Sequence, residues 1–247
     1  MDSTVSSADS ARMREFWDSR ARENAMWFIH SQLDYNATDP EEFWRSGEDN
    51  LERTLGPFGI TWRGDERVVE IGCGMGRITK AIARRAGSVV GVDISPEMVE
   101  RGRAALAGVA NATLQVGSGT DLAEFDSNSF DACYSFIVFQ HIPDPAITCG
   151  YVREIGRVLR PGGWTVFQVS ERPEIHRRGY WLTRVPLRQR VRRLLGRAPR
   201  GTMDAPWLGS SVPRQDLLAA LRDGGMELVA SVGDGTQFCL VHARKTG

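Results

Sequence analysis

The chain has 247 residues, of which 41% are apolar and 25% are charged, and these proportions are ordinary for a globular protein with a sizeable core. Basic and acidic residues balance at 31 each, so net charge indicates neither a nucleic-acid nor a membrane partner. No apolar run approaches the roughly 20 residues of a membrane span. The four scattered cysteines and an N-terminus without a signal-peptide pattern predict a cytoplasmic protein with free thiols.

The first part of the chain predicts two helices. Residues 1–8 are polar and small and are predicted to be disordered. Apolar residues recur at spacings of three and four over residues 10–29, which predicts a helix. Asp39 is a suitable N-cap for a second helix, with Pro40 at its first position, and Gly56-Pro57 ends it.

Residues 68–79 read Val-Val-Glu-Ile-Gly-Cys-Gly-Met-Gly-Arg-Ile-Thr and predict a buried strand, a tight glycine turn and a helix. Glycine there can adopt backbone angles that a side chain forbids, and it lets a ligand lie against the main chain. The helix that follows directs its free N–H groups and its positive dipole end at the same place. The third glycine, Gly76, comes one residue too early for the dinucleotide pattern G-x-G-x-x-G.

A second apolar run, residues 88–92, ends in Asp93, 21 residues after Gly72. An acid at the end of the second strand of a doubly wound sheet reaches the two hydroxyls of a ribose. Ser95 and Pro96 then provide an N-cap and a first helical residue for the next helix.

The remaining pattern alternates strands and helices. Predicted strands are 112–116, 130–139, 164–169, 226–232 and 236–243, and predicted helices are 147–159 and 213–224. The last two strands are joined at Gly233-Asp234-Gly235 and are predicted to form an antiparallel pair.

The pattern E-x-G-x-G-x-G followed by V-D-x-S resembles the class I S-adenosylmethionine (SAM)-dependent methyltransferases, over about residues 60–171 and 211–247. The resemblance implies an α/β fold with a doubly wound, Rossmann-like, seven-stranded sheet, mostly parallel with an antiparallel last strand. It also implies a helical lid over residues 1–58 and a SAM-binding domain over residues 59–247. A basic insertion occupies about residues 172–210 of that domain.

The resemblance implies SAM as the cofactor and S-adenosylhomocysteine (SAH) as its product. The residues it assigns to the cofactor are Glu70, Gly72, Cys73, Gly74, Gly76, Asp93, Ile94, Met98, Ser118, Gly119, Thr120 and Phe136. Ser118 stands where the family usually has an acid that accepts from the adenine amino group. A hydroxyl can still accept that hydrogen bond, although without charge.

The resemblance implies a small-molecule acceptor, and we expect methylation of a hydroxyl of a sugar or secondary metabolite. A general base is needed only for a poor nucleophile such as an alcohol, and His141 is the candidate because its ordinary pKa lies near neutrality. The alternative for His141 is a structural role in its loop. No metal site is expected. The candidate acceptor residues are Trp17, Trp27, Tyr35, Gln140, Glu171 and Trp181.

The insertion over residues 172–210 has ten arginines and only two acids, Glu174 and Asp204. Three interpretations remain open: an amphipathic lid or arm through which a homo-oligomer forms, a clamp for an anionic acceptor, and a nucleic-acid surface. Three alternative functions also remain open: an N- or C-methyltransferase of a small molecule, an RNA methyltransferase that uses the basic insertion, and a SAM-binding protein without turnover. A nucleic-acid partner is the less expected of these, since the motif of amino-directed nucleic-acid methyltransferases and a Pro-Cys nucleophile are both missing from the sequence.

Overall fold

The computed structural model describes residues 3–182 and 199–247. In this part of the chain seven strands form one sheet in the order β3-β2-β1-β4-β5-β7-β6. β7 runs antiparallel to both of its neighbours, and the pairs among β1 to β5 are parallel. The predicted doubly wound fold is therefore confirmed. The strands are β1 (Arg67–Ile71), β2 (Ser88–Asp93), β3 (Ala112–Val116), β4 (Phe130–Ser135), β5 (Leu159–Val169), β6 (Met226–Val232) and β7 (Cys239–Lys245).

Helices cover both faces of the sheet and its carboxyl edge. They are α1 (Ser3–Ile29), α2 (Pro40–Leu55), α3 (Arg77–Ala83), α4 (Pro96–Ala105), α5 (Pro145–Val158), α6 (Arg178–Leu182), α7 (Ala205–Leu208) and α8 (Arg214–Asp223). None of these described helices combines the length and the apolar character needed to cross a bilayer.

The strand order reverses between β1 and β4, which places a crevice at the carboxyl ends of these central strands. The central strands are buried on both faces, as their apolar runs predict: Val68 and Val69 of β1 have no exposed surface. Backbone groups after β1, β2 and β4 therefore meet in one place, although they are far apart in the sequence.

Several boundaries differ from the sequence-based prediction: β5 begins at Leu159 rather than at residue 164, and β7 covers Cys239–Lys245 rather than residues 236–243. Helix α1 begins at Ser3, although residues 1–8 were expected to be disordered, and it is broken at Asn24, whose backbone is extended. Asn24 Oδ1 accepts a hydrogen bond from Trp27 N at 3.1 Å and so caps the second part of the helix. Strand β4 ends at Ser135 rather than at residue 139, because the backbone turns at Ile137 into a short 3₁₀ turn over Phe139–His141.

The first part of α1 is attached to the loops that follow β2 and β3. Ser10 Oγ donates to Ser118 O at 2.5 Å. Asp18 Oδ1 accepts from Ser95 Oγ at 2.8 Å and from Glu97 N at 2.9 Å, at the N-terminal end of α4. Helix α1 therefore lies across the carboxyl edge of the sheet and covers the crevice.

A close approach of α5 to the turn after α8 gives a test of the packing. A Cβ atom added at Gly156 would lie 2.1 Å from Gly224 O, whereas one added at Gly150 of the same helix would lie 3.8 Å from Thr120 O. We expect Gly156→Ala to lower the free energy of unfolding by ~1–3 kcal/mol through overpacking. Gly150→Ala is the matched control and should be neutral or stabilising by up to ~1 kcal/mol. Urea midpoints measured by circular dichroism test this, and equal midpoints for the two variants would contradict the packing described.

Candidate functional site

The turn after β1 requires glycine at two positions. Gly72 and Gly74 have φ values of +72° and +53°, in the left-handed region that side chains rarely adopt. A Cβ atom at Gly72 would lie 2.2 Å from the side chain of Val138, and one at Gly74 would lie 2.8 Å from that of Ile29. Side chains thus pack closely against both glycines, and both also line the crevice, where a ligand can contact the main chain.

The carboxylate of Asp93 links this turn to the loop after β2. Asp93 Oδ2 accepts from Gly74 N at 2.8 Å, and Oδ1 accepts from Ser95 N at 2.9 Å. Burial raises the pKa of Asp93 above its usual value, although these backbone hydrogen bonds oppose the rise. Asp93 therefore holds the glycine turn in place and also faces the crevice.

A first cavity, here called the glycine-turn cavity, lies between α1 and the ends of β1, β2 and β4. Nine of the twelve predicted cofactor residues line it: Glu70, Gly72, Cys73, Gly74, Asp93, Ile94, Met98, Gly119 and Phe136. The cavity is also lined by residues that no sequence motif indicated: Met13, Phe28, Ile29, Arg77, Asp121 and Tyr151.

Gly76, Ser118 and Thr120 lie outside this lining. Gly76 is instead the N-cap residue directly before α3, and its φ is +82°. Ser118 Oγ donates to Asp121 Oδ1 at 2.9 Å and accepts from Thr120 N at 3.1 Å, so the hydroxyl is engaged within its own loop. The acid that reaches the cavity from this loop is Asp121, three residues beyond the position at which an acid was sought.

Two buried charges of opposite sign line the glycine-turn cavity. Glu70 is 3% exposed and Arg77 is 4% exposed. Burial raises the pKa of Glu70 to about 7, and burial lowers the pKa of Arg77 to about 10. Arg77 Nη1 donates to Ser46 Oγ at 3.0 Å, but its Nε has no partner in the described part of the chain. A buried guanidinium with a free donor favours an anionic ligand group.

A second cavity, here called the aromatic cavity, has a volume of about 570 Å³ and adjoins the first. It shares five residues with the glycine-turn cavity: Phe28, Ile29, Phe136, Ile137 and His141. Its remaining walls come mainly from Asn50, Arg53, Ile175, His176, Trp181, Trp207, Gln237 and Phe238. Its size and largely apolar walls fit a small organic molecule.

His141 is held at the junction of the two cavities as a neutral imidazole. Its Nδ1 lies 2.7 Å from Trp207 O, and since a carbonyl can only accept, Nδ1 carries the proton. The lone pair on Nε2 is then free to accept, and Gln140 Nε2 lies 3.2 Å from it. Burial lowers the pKa of His141 to about 4.

The backbone beside His141 is strained. Ile137 has a φ of +55°, which is rare for a β-branched residue and is typical of functional sites. Gln168 maintains this conformation from β5: its Oε1 accepts from Ile137 N at 3.2 Å, and its Nε2 donates to Gln140 Oε1 at 3.1 Å. The strained residue lines both cavities, so its conformation helps to shape their junction.

The last part of the insertion, with α7, covers the aromatic cavity. His141 and His176 bond to the successive carbonyls of Trp207 and Leu208, at the end of α7. The next residue, Gly209, could not be replaced without a shift, since its Cβ would lie 1.8 Å from Gln140 O. Helix α7 is therefore fixed directly against the 3₁₀ turn that contains His141.

The predicted acceptor residues are divided among three locations. Trp17 lines the glycine-turn cavity, and Gln140 and Trp181 line the aromatic cavity. Trp27 and Tyr35 line neither. The indole of Trp27 stacks on that of Trp207 at 5.8 Å, and Tyr35 Oη donates to Glu23 at 2.6 Å. Both therefore support the covering segments rather than forming a cavity wall.

Glu171 also lies outside the two cavities. Its carboxylate accepts from Arg214 Nη1 at 3.1 Å and from Gly235 N at 2.6 Å. It forms a cluster of ligand-type atoms with Asp234 and Cys239, but Arg214 Nη1 also lies 3.3 Å from Asp234. The acids of this cluster thus already have a cation partner, and their evident role is to join β5 to the β6–β7 turn.

Comparison with known proteins places the chain in one family. A family described as "Methyltransferase domain" matches residues 69–167. A ubiquinone biosynthesis O-methyltransferase of Neisseria meningitidis is 30% identical over 172 residues, which cover 68% of this chain. The match spans 66% of that relative, slightly less than two thirds of its length.

Solved structures show the same fold at low identity. A geranyl diphosphate methyltransferase, solved with GPP and sinefungin, has a TM-score of 0.62 and 18% identity, and the match covers 97% of this chain and all of the other. The cyclase SpnF has a TM-score of 0.55 and 17% identity, with 86% of this chain and 84% of the other covered. Since one neighbour is described as a cyclase, the fold by itself does not define a reaction.

The contacts of Asp93 predict its effect on ligand binding. Asp93→Ala removes the acceptor expected for the ribose hydroxyls and also releases Gly74 N. We expect the affinity for SAH, measured by calorimetry, to fall by roughly a hundredfold, since hydrogen bonds to a buried charge are costly to lose. The control is Asp49→Ala on the exposed side of α2, which should bind as the unchanged chain does. Equal affinities for the two variants would show that Asp93 does not contact the ligand.

The free donor of Arg77 predicts a different pattern. If it binds the carboxylate of the ligand's amino-acid part, Arg77→Met should weaken SAH binding roughly tenfold to hundredfold. Methylthioadenosine, which lacks both the carboxylate and the ammonium group, should bind the variant and the unchanged chain alike. An equal loss for both ligands would instead assign Arg77 to the support of α2 through Ser46.

Proposed function

The chain belongs to the class I SAM-dependent methyltransferases, and on that basis we propose that it transfers a methyl group from SAM to a hydroxyl group of a small molecule. The observation that carries the proposal is the junction of two cavities at a neutral, partly buried histidine. The relative named as an O-methyltransferase supports the choice of oxygen.

The residues of the glycine-turn cavity fit SAM in their charges and in their position at the carboxyl edge of the sheet. Gly72 and Gly74 allow main-chain contact, and Asp93 is placed at the end of β2, where an acid accepts from ribose hydroxyls. Ile94 and Met98 provide apolar surface for the adenine, with Asp121 as an acceptor for its amino group. Glu70 and Arg77 offer opposite charges to the ammonium and carboxylate of the methionine part.

When bound, SAM supplies an electrophilic methyl group on a positively charged sulfur. The protein's contribution is mainly to hold the acceptor hydroxyl in line with that group and to exclude water, which can supply roughly 7–11 kcal/mol of the barrier reduction. Phe136, Ile137 and His141 line both cavities and so surround the point of transfer. His141 Nε2 would accept the proton that the hydroxyl loses when its oxygen takes up the methyl group and the methyl–sulfur bond breaks to leave SAH; that proton would replace the contact with Gln140.

The walls of the aromatic cavity favour one class of acceptor. Phe28, Phe136, Trp181, Trp207 and Phe238 provide flat apolar surface, which suits a planar acceptor of secondary-metabolite type better than a sugar. We therefore place the acceptor in this cavity, with its hydroxyl directed toward His141.

The covering segments have separate roles in this proposal. The described part of residues 1–58 forms a lid, because α1 crosses the crevice and is attached to the loops after β2 and β3. Within the insertion, α6 and α7 complete the acceptor site. Residues 183–198, on which much of the predicted oligomer arm or basic surface falls, lie outside the described residues. The homo-oligomer through this segment therefore remains a prediction. The cytoplasmic location also remains a prediction.

The environment of His141 predicts an unusual pH dependence. With a pKa of about 4, the imidazole stays neutral well below the ordinary histidine value of about 6.5. The rate of methyl transfer, measured at saturating SAM so that protonation of Glu70 (pKa about 7) does not limit SAM binding, should therefore stay level from pH 8 down to about pH 5 and fall only as the pH approaches the lowered pKa of His141. A decline centred near pH 6.5 in the pH–rate profile would contradict this assignment.

Substitution of the same residue separates catalysis from binding. We expect His141→Gln to lower kcat by roughly a hundredfold or more, since the general base is lost. The affinity for SAH should change little, because the cavity that holds SAH retains Asp93 and the glycine turn. Full activity of this variant at neutral pH would leave His141 with a structural role only.

A further inference from the structure

The described walls of the aromatic cavity contain basic side chains but no acidic ones. The cavity is lined by Arg53 and by three histidines, and no aspartate or glutamate is among its described lining residues. The undescribed residues 183–198 contain no acid in their sequence either. A cavity of this kind favours a ligand that brings its own negative charge.

Arg53 lies at the mouth of this cavity without a carboxylate partner among the described residues. Its Nη2 donates to Asn50 Oδ1, and its guanidinium lies over the ring of Phe136, 5.9 Å from the centroid. The adjacent acid on α2, Glu52, is bonded to Arg85 Nη2 at 3.0 Å instead. The remaining donors of Arg53 are therefore available to a ligand beside the residue that borders both cavities.

His30 adds a second donor on the same wall. Its ring lines the cavity and has no hydrogen-bond partner in the described part of the chain. Burial, followed by the positive charges of Arg77 and Arg53, lowers the pKa of His30. The imidazole is thus a neutral N–H donor in a region of positive potential, which suits a bound anion.

We propose that the acceptor is a hydroxylated aromatic carboxylic acid, whose carboxylate is bound by Arg53 and His30 and whose hydroxyl faces His141. The inference rests on the proposed function and specifies its substrate class. The carboxylate serves for recognition and is not the group that is methylated. The product is accordingly an aryl methyl ether that retains its acid, with SAH as the second product.

The test compares acids with matched neutral acceptors. A panel of hydroxybenzoates and hydroxycinnamates, each beside its methyl ester, is assayed for SAH formation with the full chain, and binding to the SAH-loaded protein is measured by calorimetry. We expect the best acid to exceed its ester in kcat/KM by roughly tenfold or more, because an arginine–carboxylate pair is charge-assisted. Mass spectrometry should find the ether and not the ester as its product.

Substitution of Arg53 decides the role of the charge. Arg53→Gln should raise KM for the acid roughly tenfold to hundredfold with little change in kcat, and its effect on the ester should be much smaller. Arg53→Lys should recover part of the preference. The matched control is Arg45→Gln, which removes the same charge from an exposed position on α2 that lines neither cavity.

Three outcomes would overturn the inference while SAH still binds: equal use of acids and esters, an equal effect of Arg53→Gln on both, and an SAH-loaded protein that binds no acid of the panel. Failure of SAH itself to bind would instead overturn the proposed function, so the two failures are distinguishable.

Discussion

The site depends on a carboxylate that joins two loops at the edge of the sheet. Asp93 accepts hydrogen bonds from Gly74 N and Ser95 N, and so fixes the turn after β1 relative to the loop after β2. This arrangement is possible because parallel strands deliver their carboxyl ends to one edge, and because glycine permits the left-handed backbone of the turn. Every other part of the glycine-turn cavity is positioned around these two loops.

Segments remote in the sequence complete the site by attachment to this edge. Asp18 accepts from Ser95 Oγ and Glu97 N, which brings α1 over the crevice. On the opposite side, the carbonyl of Trp207 fixes the tautomer of His141, and the indole of Trp207 stacks on that of Trp27. The two covering segments therefore contact each other as well as the site, and the lone pair of His141 is directed by residues that do not themselves react.

The sequence predicted what is local and missed what depends on distant contacts. The sheet, the glycine turn and Asp93 follow from hydrophobic periodicity and from motifs within about 25 residues. Trp27, Tyr35 and Glu171 are conspicuous in the sequence, but their partners are Trp207, Glu23 and Arg214, which no local pattern indicates. No sequence pattern indicated Arg77. Its importance comes from a buried Nε that has no hydrogen-bond partner among the described residues, and only the folded chain shows this. Asp121 could have been found as the next acid after Ser118.

The roles assigned to these residues all depend on the binding of SAM and its product in the glycine-turn cavity. A calorimetric titration of the unchanged chain with SAH tests this binding most directly, since SAH has no methyl group to transfer. We expect one binding site per chain, with a dissociation constant in the micromolar range, and competition between SAH and SAM for that site. A chain that is folded by circular dichroism and yet releases no heat of binding with either compound would contradict it.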